Sequence, residues 1–348
     1  MRLIKLVSIS TKLICLMPYA LCLASPAAAY TYNRDGVGLR LNGYGTAGAA
    51  FPEPLIYDYR VRGQANYAVR GGWTLGAVYS FDRLAYEFDR YYSDAFIFAE
   101  SPYGRTELGW TESVAAKLGL GLPDVGALRM NNTPILYKVT DTSDVISNST
   151  LTGTRYSFRA TAVSLPTNVV QAGMSVSPFD THFNSATDVG IKFRQPHGKT
   201  KLALSAAAGF VDSPRDLNAD IYTAPVTADS RMQAALGANV QYTSWNFGAT
   251  VRGIYDHNAI TRPSDGLQTG VGASYDFLAW SASVSYILSN VGIWGNHPDY
   301  PNSTTTHTGI VSLRYKIDEY FEMFGSGGAV SSPGDVQPFV AAGLHGKF

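Results

Sequence analysis

A closed antiparallel β-barrel that crosses a membrane with about sixteen strands is the all-β fold class this sequence predicts. Three observations carry the prediction: apolar and polar residues alternate with a period of two, aromatic residues stand at both ends of the apolar faces, and short connections alternate with long ones. Composition agrees. Only 16% of the 348 residues are charged, whereas soluble domains carry about 25%, so something other than water faces part of the surface. With 27 Lys+Arg against 27 Asp+Glu the chain lacks the basic excess of a nucleic-acid binder. Its 22 Tyr and 16 Phe exclude a disordered chain.

The first element is a leader. Arg2, Lys5 and Lys12 give a basic start, Leu13 to Leu23 is mostly apolar, and Ala27-Ala28-Ala29 before Tyr30 has the small residues of a cleavage site. Residues 1–29 therefore read as a secretory signal peptide, and residues 30–348 as one barrel domain. Cys15 and Cys22, the two cysteines of the chain, leave with the leader. The exported part has no disulfide framework and gains its stability otherwise. Three positive charges leave as well, so the exported part is slightly acidic.

The strands follow in order. In Tyr57 to Tyr67 the odd positions are Tyr57, Tyr59, Val61, Gly63, Ala65 and Tyr67, and the even ones Asp58, Arg60, Arg62, Gln64 and Asn66. Trp245 to Asp256, Met232 to Tyr242 and Leu267 to Phe277 repeat the pattern. The uncharged window Phe277 to Asn296 has the length of a spanning helix. Its Ser281, Ser283 and Ser285 alternate with Trp280, Ala282, Val284 and Tyr286, however, which puts the serines on one face of a strand.

Alternation alone also suits a soluble sandwich. Two features separate the two folds. Tyr57 and Tyr67 are ten residues apart, as are Trp245 and Tyr255; ten residues at ~3.3 Å, tilted by ~40°, rise about 25 Å, the height of a lipid-facing band between aromatic girdles. The polar faces also bear Arg60, Arg62, Lys192 and Arg252, which a dry core could not hold unpaired. Sixteen strands are expected near 37–50, 56–69, 73–81, 94–99, 103–110, 150–161, 169–176, 186–194, 200–211, 231–242, 245–256, 266–277, 280–288, 307–317, 320–328 and 337–348. Short turns fall after even-numbered strands, at Arg70-Gly71-Gly72, Gln195 to Gly198, Thr243-Ser244, Leu278-Ala279 and Asp318-Glu319. Longer connections follow odd-numbered ones, with exceptions near Pro52 to Pro54 and around Pro166.

At the end of the chain Val340, Ala342, Leu344, Gly346 and Phe348 share one strand face. This resembles the closing strand of bacterial outer-membrane proteins, with its terminal aromatic. The opening strand Leu39-Arg40-Leu41-Asn42-Gly43-Tyr44-Gly45 and the pair Phe96 to Trp110 around Ser101-Pro102-Tyr103-Gly104 also look like strands of the sixteen-stranded porins of Gram-negative outer membranes. The resemblance covers residues ~36 to 348 and is one of architecture and short motifs. It implies an outer-membrane location, outer-membrane lipid and lipopolysaccharide as surroundings, a homotrimer, and a water-filled channel for small hydrophilic solutes and ions, without cofactor or catalysis.

It also implies a role for Thr111 to Ser149, the longest stretch without strand alternation. In the family the third external loop lies in this place and folds into the lumen, and a loop this long needs such a role. Gly119 to Gly126 is its tight part, with Leu120, Leu122 and Val125 placed to pack on the wall and Asp124 facing water. Similar porins oppose wall arginines to loop carboxylates, and a low-dielectric wall focuses such fields. Arg40, Arg60 and Arg62 are the expected basic wall of a constriction, with Asp124 facing them; the alternative is that the arginines only solvate a wide lumen.

Other constellations are weaker. The six histidines lack ligand spacing. Asp212, Asp216 and Asp220 share one loop without the EF-hand pattern, and a solvated loop is the simpler account. The competing functions are a general pore, a pore selective for sugars or carboxylates, and a barrel enzyme. A selective pore predicts a ladder of lumen aromatics, yet most aromatics point outward and Tyr44 is the exception. An enzyme needs a Ser/His or Asp/His pair at the rim, and spacing proposes none.

Overall fold

The computed structural model describes residues 30–51, 56–84, 91–92, 94–125, 156–165, 169–178, 183–214, 228–258, 266–291 and 304–348. The leader and residues 126–149 of the expected loop lie outside the described residues. So do Asp216 and Asp220, His182 and His297.

Eighteen strands occur among the described residues: β1 (Tyr30–Arg34), β2 (Val37–Phe51), β3 (Ile56–Val69), β4 (Trp73–Leu84), β5 (Tyr91–Tyr92), β6 (Ala95–Ser101), β7 (Gly104–Glu112), β8 (Tyr156–Ser164) and β9 (Val170–Ser177). Then come β10 (Ser185–His197), β11 (Thr200–Asp212), β12 (Ser230–Tyr242), β13 (Trp245–His257), β14 (Gly266–Phe277), β15 (Trp280–Val291), β16 (Thr304–Lys316), β17 (Phe321–Ser332) and β18 (Asp335–Lys347). Each long strand pairs antiparallel with its neighbours in sequence, and β18 pairs with β2 in the register Leu344↔Ala47, which closes a ring of sixteen. Closure removes the free edges that an open sheet would present to lipid. The short β5 pairs with β4. The short β1 lies along β2, Tyr30 opposite Leu41, where β18 has ended; Phe348 and Gly43 exchange backbone hydrogen bonds of 2.9 Å. Among the described residues no helix is long and apolar enough to cross a membrane.

The period of two sorts the side chains as the sequence predicts. On β15, Ser281, Ser283, Ser285 and Ser289 are buried on the inner face while Trp280, Val284 and Tyr286 are exposed outside. Aromatics ring the short-turn end, where Trp245 lies 4.5 Å from Tyr275 and Trp280 4.6 Å from Tyr315 between ring centroids. Trp110, Tyr255 and Tyr286 face outward nearer the long-loop end.

Three details differ from expectation. β10 runs on to His197, so its turn is Gly198-Lys199 and not Gln195 to Gly198. The last long-loop connection is the short Pro333-Gly334, because β17 reaches Ser332. The strand β1 carries no alternation long enough to be read from sequence. The two-residue turns place Thr243 at φ 52° and Leu278 at φ 54°, the left-handed conformation whose twist matches the flanking strands in such hairpins.

Candidate pore constriction

After β7 the chain turns inward. Ser113 caps the short helix α1 (Val114–Leu118), its hydroxyl accepting from the Ala116 N–H at 3.1 Å. The helix packs on the inner faces of β8 to β11 with Val114, Ala115 and Leu118 buried. Beneath it lies an ion pair with no access to water: Arg159 is 0% and Asp188 1% exposed. Arg159 Nη1 donates to Asp188 Oδ2 at 3.1 Å and Nε to Ser157 Oγ at 3.0 Å; the Ser175 hydroxyl donates to the same carboxylate at 2.5 Å. The other oxygen, Oδ1, accepts from the Ala115 backbone N–H at 2.8 Å, so wall and helix share one carboxylate. At the far end Lys117 pairs with Glu107 on β7 and donates to Thr111 Oγ1 at 3.0 Å. Burial pushes the Lys117 ammonium down from its ordinary value, against the pull of Glu107.

From Gly119 to Val125 the chain crosses β11 to β15 in extended form. The Leu120 N–H donates to Ser205 Oγ at 3.0 Å, Asn239 Nδ2 to the Gly121 carbonyl at 3.2 Å, and Ser285 Oγ to the Pro123 carbonyl at 3.1 Å. The Val125 N–H donates to Ser283 Oγ at 3.1 Å. Leu122 and Val125 are buried against the wall. The bed on which this segment lies is a row of inward glycines. A methyl group at Gly237 would come within 2.9 Å of the Leu120 side chain, one at Gly248 would overlap the Pro123 ring, and one at Gly272 would stand 3.4 Å from Leu122 and Pro123. Interiors are packed closely enough for one carbon to matter.

Alternation puts Arg40, Arg60 and Arg62 on the inner face of β2 and β3, where Arg60 stands opposite Tyr44, Arg62 opposite Asn42 and Arg40 opposite Gln64. The three share one patch of wall. Arg60 is held by Asp94 just before β6, Nη2 to Oδ2 at 2.5 Å, and Asp94 is fixed in turn by its own N–H donating to Ser80 Oγ at 3.0 Å. Asp124 stands elsewhere: it accepts from Ser283 Oγ at 3.1 Å on β15, which is five strands from β3 round the ring. Sequence reasoning missed Asp94 and Asp188, whose acidity is visible but whose partners are set by strand register.

It also missed lumen aromatics other than Tyr44. Phe96 and Phe98 face inward, packed with Val78 and covered by the Arg105 guanidinium, 3.8 Å from the Phe98 ring centroid, and by Lys117, 5.7 Å from that of Phe96. Phe324 and Phe339 are buried on β17 and β18 over Gly343 and Gly328. Among the described residues no group of His, Cys, Asp or Glu could hold a metal ion.

A family model described as Gram-negative porin matches residues 60–318. No curated protein is similar enough in sequence to match. Among solved structures, a loop-deletion mutant of OmpT, an outer membrane protein of Vibrio cholerae, is similar with a TM-score of 0.67 at 11% identity, covering 90% of this chain and 100% of that one. An anion-selective porin from Comamonas acidovorans gives 0.61 at 10% identity with 90% and 100% coverage. Salmonella typhi OmpF in complex with daunomycin gives 0.60 at 12% identity with 92% and 100%. At these identities the likeness is one of fold.

Asp188→Ala leaves Arg159 charged and buried, which costs about 3–5 kcal/mol. The variant is expected to unfold at lower denaturant than the parent and to expose α1. A cysteine at Leu118, 2% exposed, reports this directly: thiol labelling of Leu118→Cys is slow alone and at least several-fold faster with Asp188→Ala. Gly248→Val is expected to lift the segment near Pro123, raising protease sensitivity between β7 and β8 while the barrel's circular-dichroism spectrum persists; an unchanged cleavage rate contradicts the packing account.

Proposed function

This chain belongs to the Gram-negative porin family, and from that premise we propose that it forms a water-filled channel through which small hydrophilic solutes and ions diffuse passively. It is an outer-membrane protein, surrounded in this reading by outer-membrane lipid and lipopolysaccharide. The observation that carries the diffusion reading is the inner face itself. A ring of sixteen strands encloses an aqueous lumen, and serines, threonines and charged groups line it from β2 round to β18. The segment 113–125, hydrogen-bonded to β9, β10, β11, β12 and β15 on that face, supports a constriction inside the barrel. The basic wall of Arg40, Arg60 and Arg62 and the carboxylate of Asp124 belong to the same proposal as its charged lining.

Specific observations weigh against a selective sugar pore. Phe96 and Phe98 are roofed by Arg105 and Lys117, and Phe324 and Phe339 lie flat over glycines, so these rings are used in wall packing. We infer in addition that the leader 1–29 directs export and is removed, leaving Tyr30 to begin β1.

Assembly as a homotrimer is part of the proposal; a trimer form is recorded for Vibrio cholerae OmpT. The outer face supplies a suitable surface. Gly45, Ala47 and Ala49 on β2, Ala342 on β18 and Gly325 and Gly327 on β17 stand side by side in register, a flat apolar field. Elsewhere the outer face bears exposed Ile191, Leu204, Leu236 and Val271.

In planar bilayers the protein is expected to give steps whose conductance rises with salt without saturating, and proteoliposomes to swell in small sugars but not in large oligosaccharides. Saturating current blocked by one sugar class would replace the diffusion reading with a selective one; no current at all would remove both. On native electrophoresis the parent is expected to run as a trimer, and Ala47→Trp with Ala342→Trp as monomers that still conduct.

A further inference from the structure

Two sets of lumen cations differ in their partners. In the first, each is neutralised in place: Arg60 by Asp94, Arg105 and Lys117 by Glu107, Arg159 by Asp188, Arg231 by Asp256, and Arg314 and Lys347 by Glu322. The second contains Lys192 and Arg194 on β10 and Arg40 and Arg62 on β2 and β3, which form no side-chain hydrogen bond and no ion pair among the described residues, although Arg62 still feels the charge of Asp94.

Lys192 and Arg194 lie on the inner face of β10. Their neighbours Ile191 and Phe193 line the outer groove with Leu204 and Leu236, and strand alternation turns the two cations the other way. On the same strand Asp188 anchors α1 and Gly190 lies under Val114 and Leu118. Lys192 is the next inward residue, so it emerges from beneath the helix on the short-turn side, with Arg194 one step further. Across the strand pairs Lys192 faces Gln171 on β9 and Ser205 on β11, neither of them acidic. Two like charges two residues apart repel each other, and the fold gives them no counter-ion.

Round the ring β10 is seven strands from β2 and six from β3, where eight is diametric. The two unpaired pairs therefore face each other over the lumen. Lys192 is six residues above Gly198 and Arg194 four; Arg62 is eight below Arg70 in sequence and Arg40 four beyond Gly36. At a rise near 2.5 Å per tilted residue, all four lie roughly 10–20 Å from the short-turn rim. Their fields overlap at ordinary salt, where the Debye length is about 10 Å.

Resting on the pore reading above, we propose that Lys192 and Arg194 are specificity-determining residues: with Arg40 and Arg62 opposite, they make the short-turn half of the lumen selective for small anions. A low-dielectric wall concentrates the potential of charges that lack local partners, so anions enrich there and cations are depleted. Paired residues contribute dipoles whose fields fall away faster and do not discriminate in the same way.

The test is the reversal potential of the intact protein in planar bilayers under a tenfold gradient of potassium chloride. The parent is expected to favour chloride at 0.1 M, less so at 1 M, where screening shortens to about 3 Å. Lys192→Gln with Arg194→Gln should lower the chloride-to-potassium permeability ratio at least twofold. Removing a neutralised pair, Arg231→Gln with Asp256→Asn, should leave that ratio in place. Arg194→Cys provides a second route that needs only one substitution: a positively charged methanethiosulfonate should restore the ratio and a negatively charged one lower it further. A parent that favours potassium, or a conducting double variant with the parental ratio, overturns the proposal. A folded parent that passes no current overturns the pore reading instead.

Discussion

A loop that lies inside a barrel has to be held against the water it displaces, and here one carboxylate carries that task. Asp188 accepts from Arg159, from Ser175 and from the Ala115 backbone N–H. The first two bonds belong to the wall and the third to the helix. An unpaired carboxylate at 1% exposure would be too costly to keep ionised, and a charged Arg159 without it equally so. The pair is thus self-enforcing: each member makes the other tolerable, and together they leave one oxygen lobe free for the helix. The site commits β8, β9 and β10 to one register, because Ser157, Arg159, Ser175 and Asp188 meet only if the strands pair as they do.

The rest of the segment follows from that fixed point by surface shape. Leaving α1 at Gly119, the chain lies along inward glycines on β12, β13 and β14 and collects hydroxyl and amide bonds from Ser205, Asn239, Ser283 and Ser285. The glycines let the backbone approach; the hydroxyls satisfy groups that the approach would otherwise strand. Neither feature alone would hold an extended peptide against a wall of strands, since a smooth wall gives no direction and a polar one with bulky side chains gives no contact.

This division explains what could be read from the sequence. The strands were legible because lipid and lumen impose opposite demands on adjacent residues, and repeated alternation such as Tyr59-Arg60-Val61-Arg62 leaves little freedom. Leu122 and Val125 were legible as wall contacts from their spacing in a glycine-rich run, and both are buried. The short β1 was not, since five residues beside a turn contain too little alternation. The pairing of Arg60 with Asp94 and of Arg159 with Asp188 was not, because residues 34 and 29 positions apart meet through register, which sequence spacing does not encode. The bed of the loop did leave a trace: Gly237, Gly248 and Gly272 fall on the polar face of their strands, where a lumen residue with a side chain would otherwise stand.

Charge in the lumen obeys the same economy of partners. Beside the helix, where burial is deep, Arg159 is neutralised by Asp188, and Arg105 and Lys117 share Glu107. Lys192, one inward step below Gly190, is only half-buried, and Arg194 is exposed. Water can solvate them, so the fold does not require a counter-ion there. The boundary between neutralised and open charge is therefore set by how far α1 covers the wall. A segment tethered for structural reasons at Asp188 divides the lumen electrically, leaving the cations it does not shield to act on whatever solute passes.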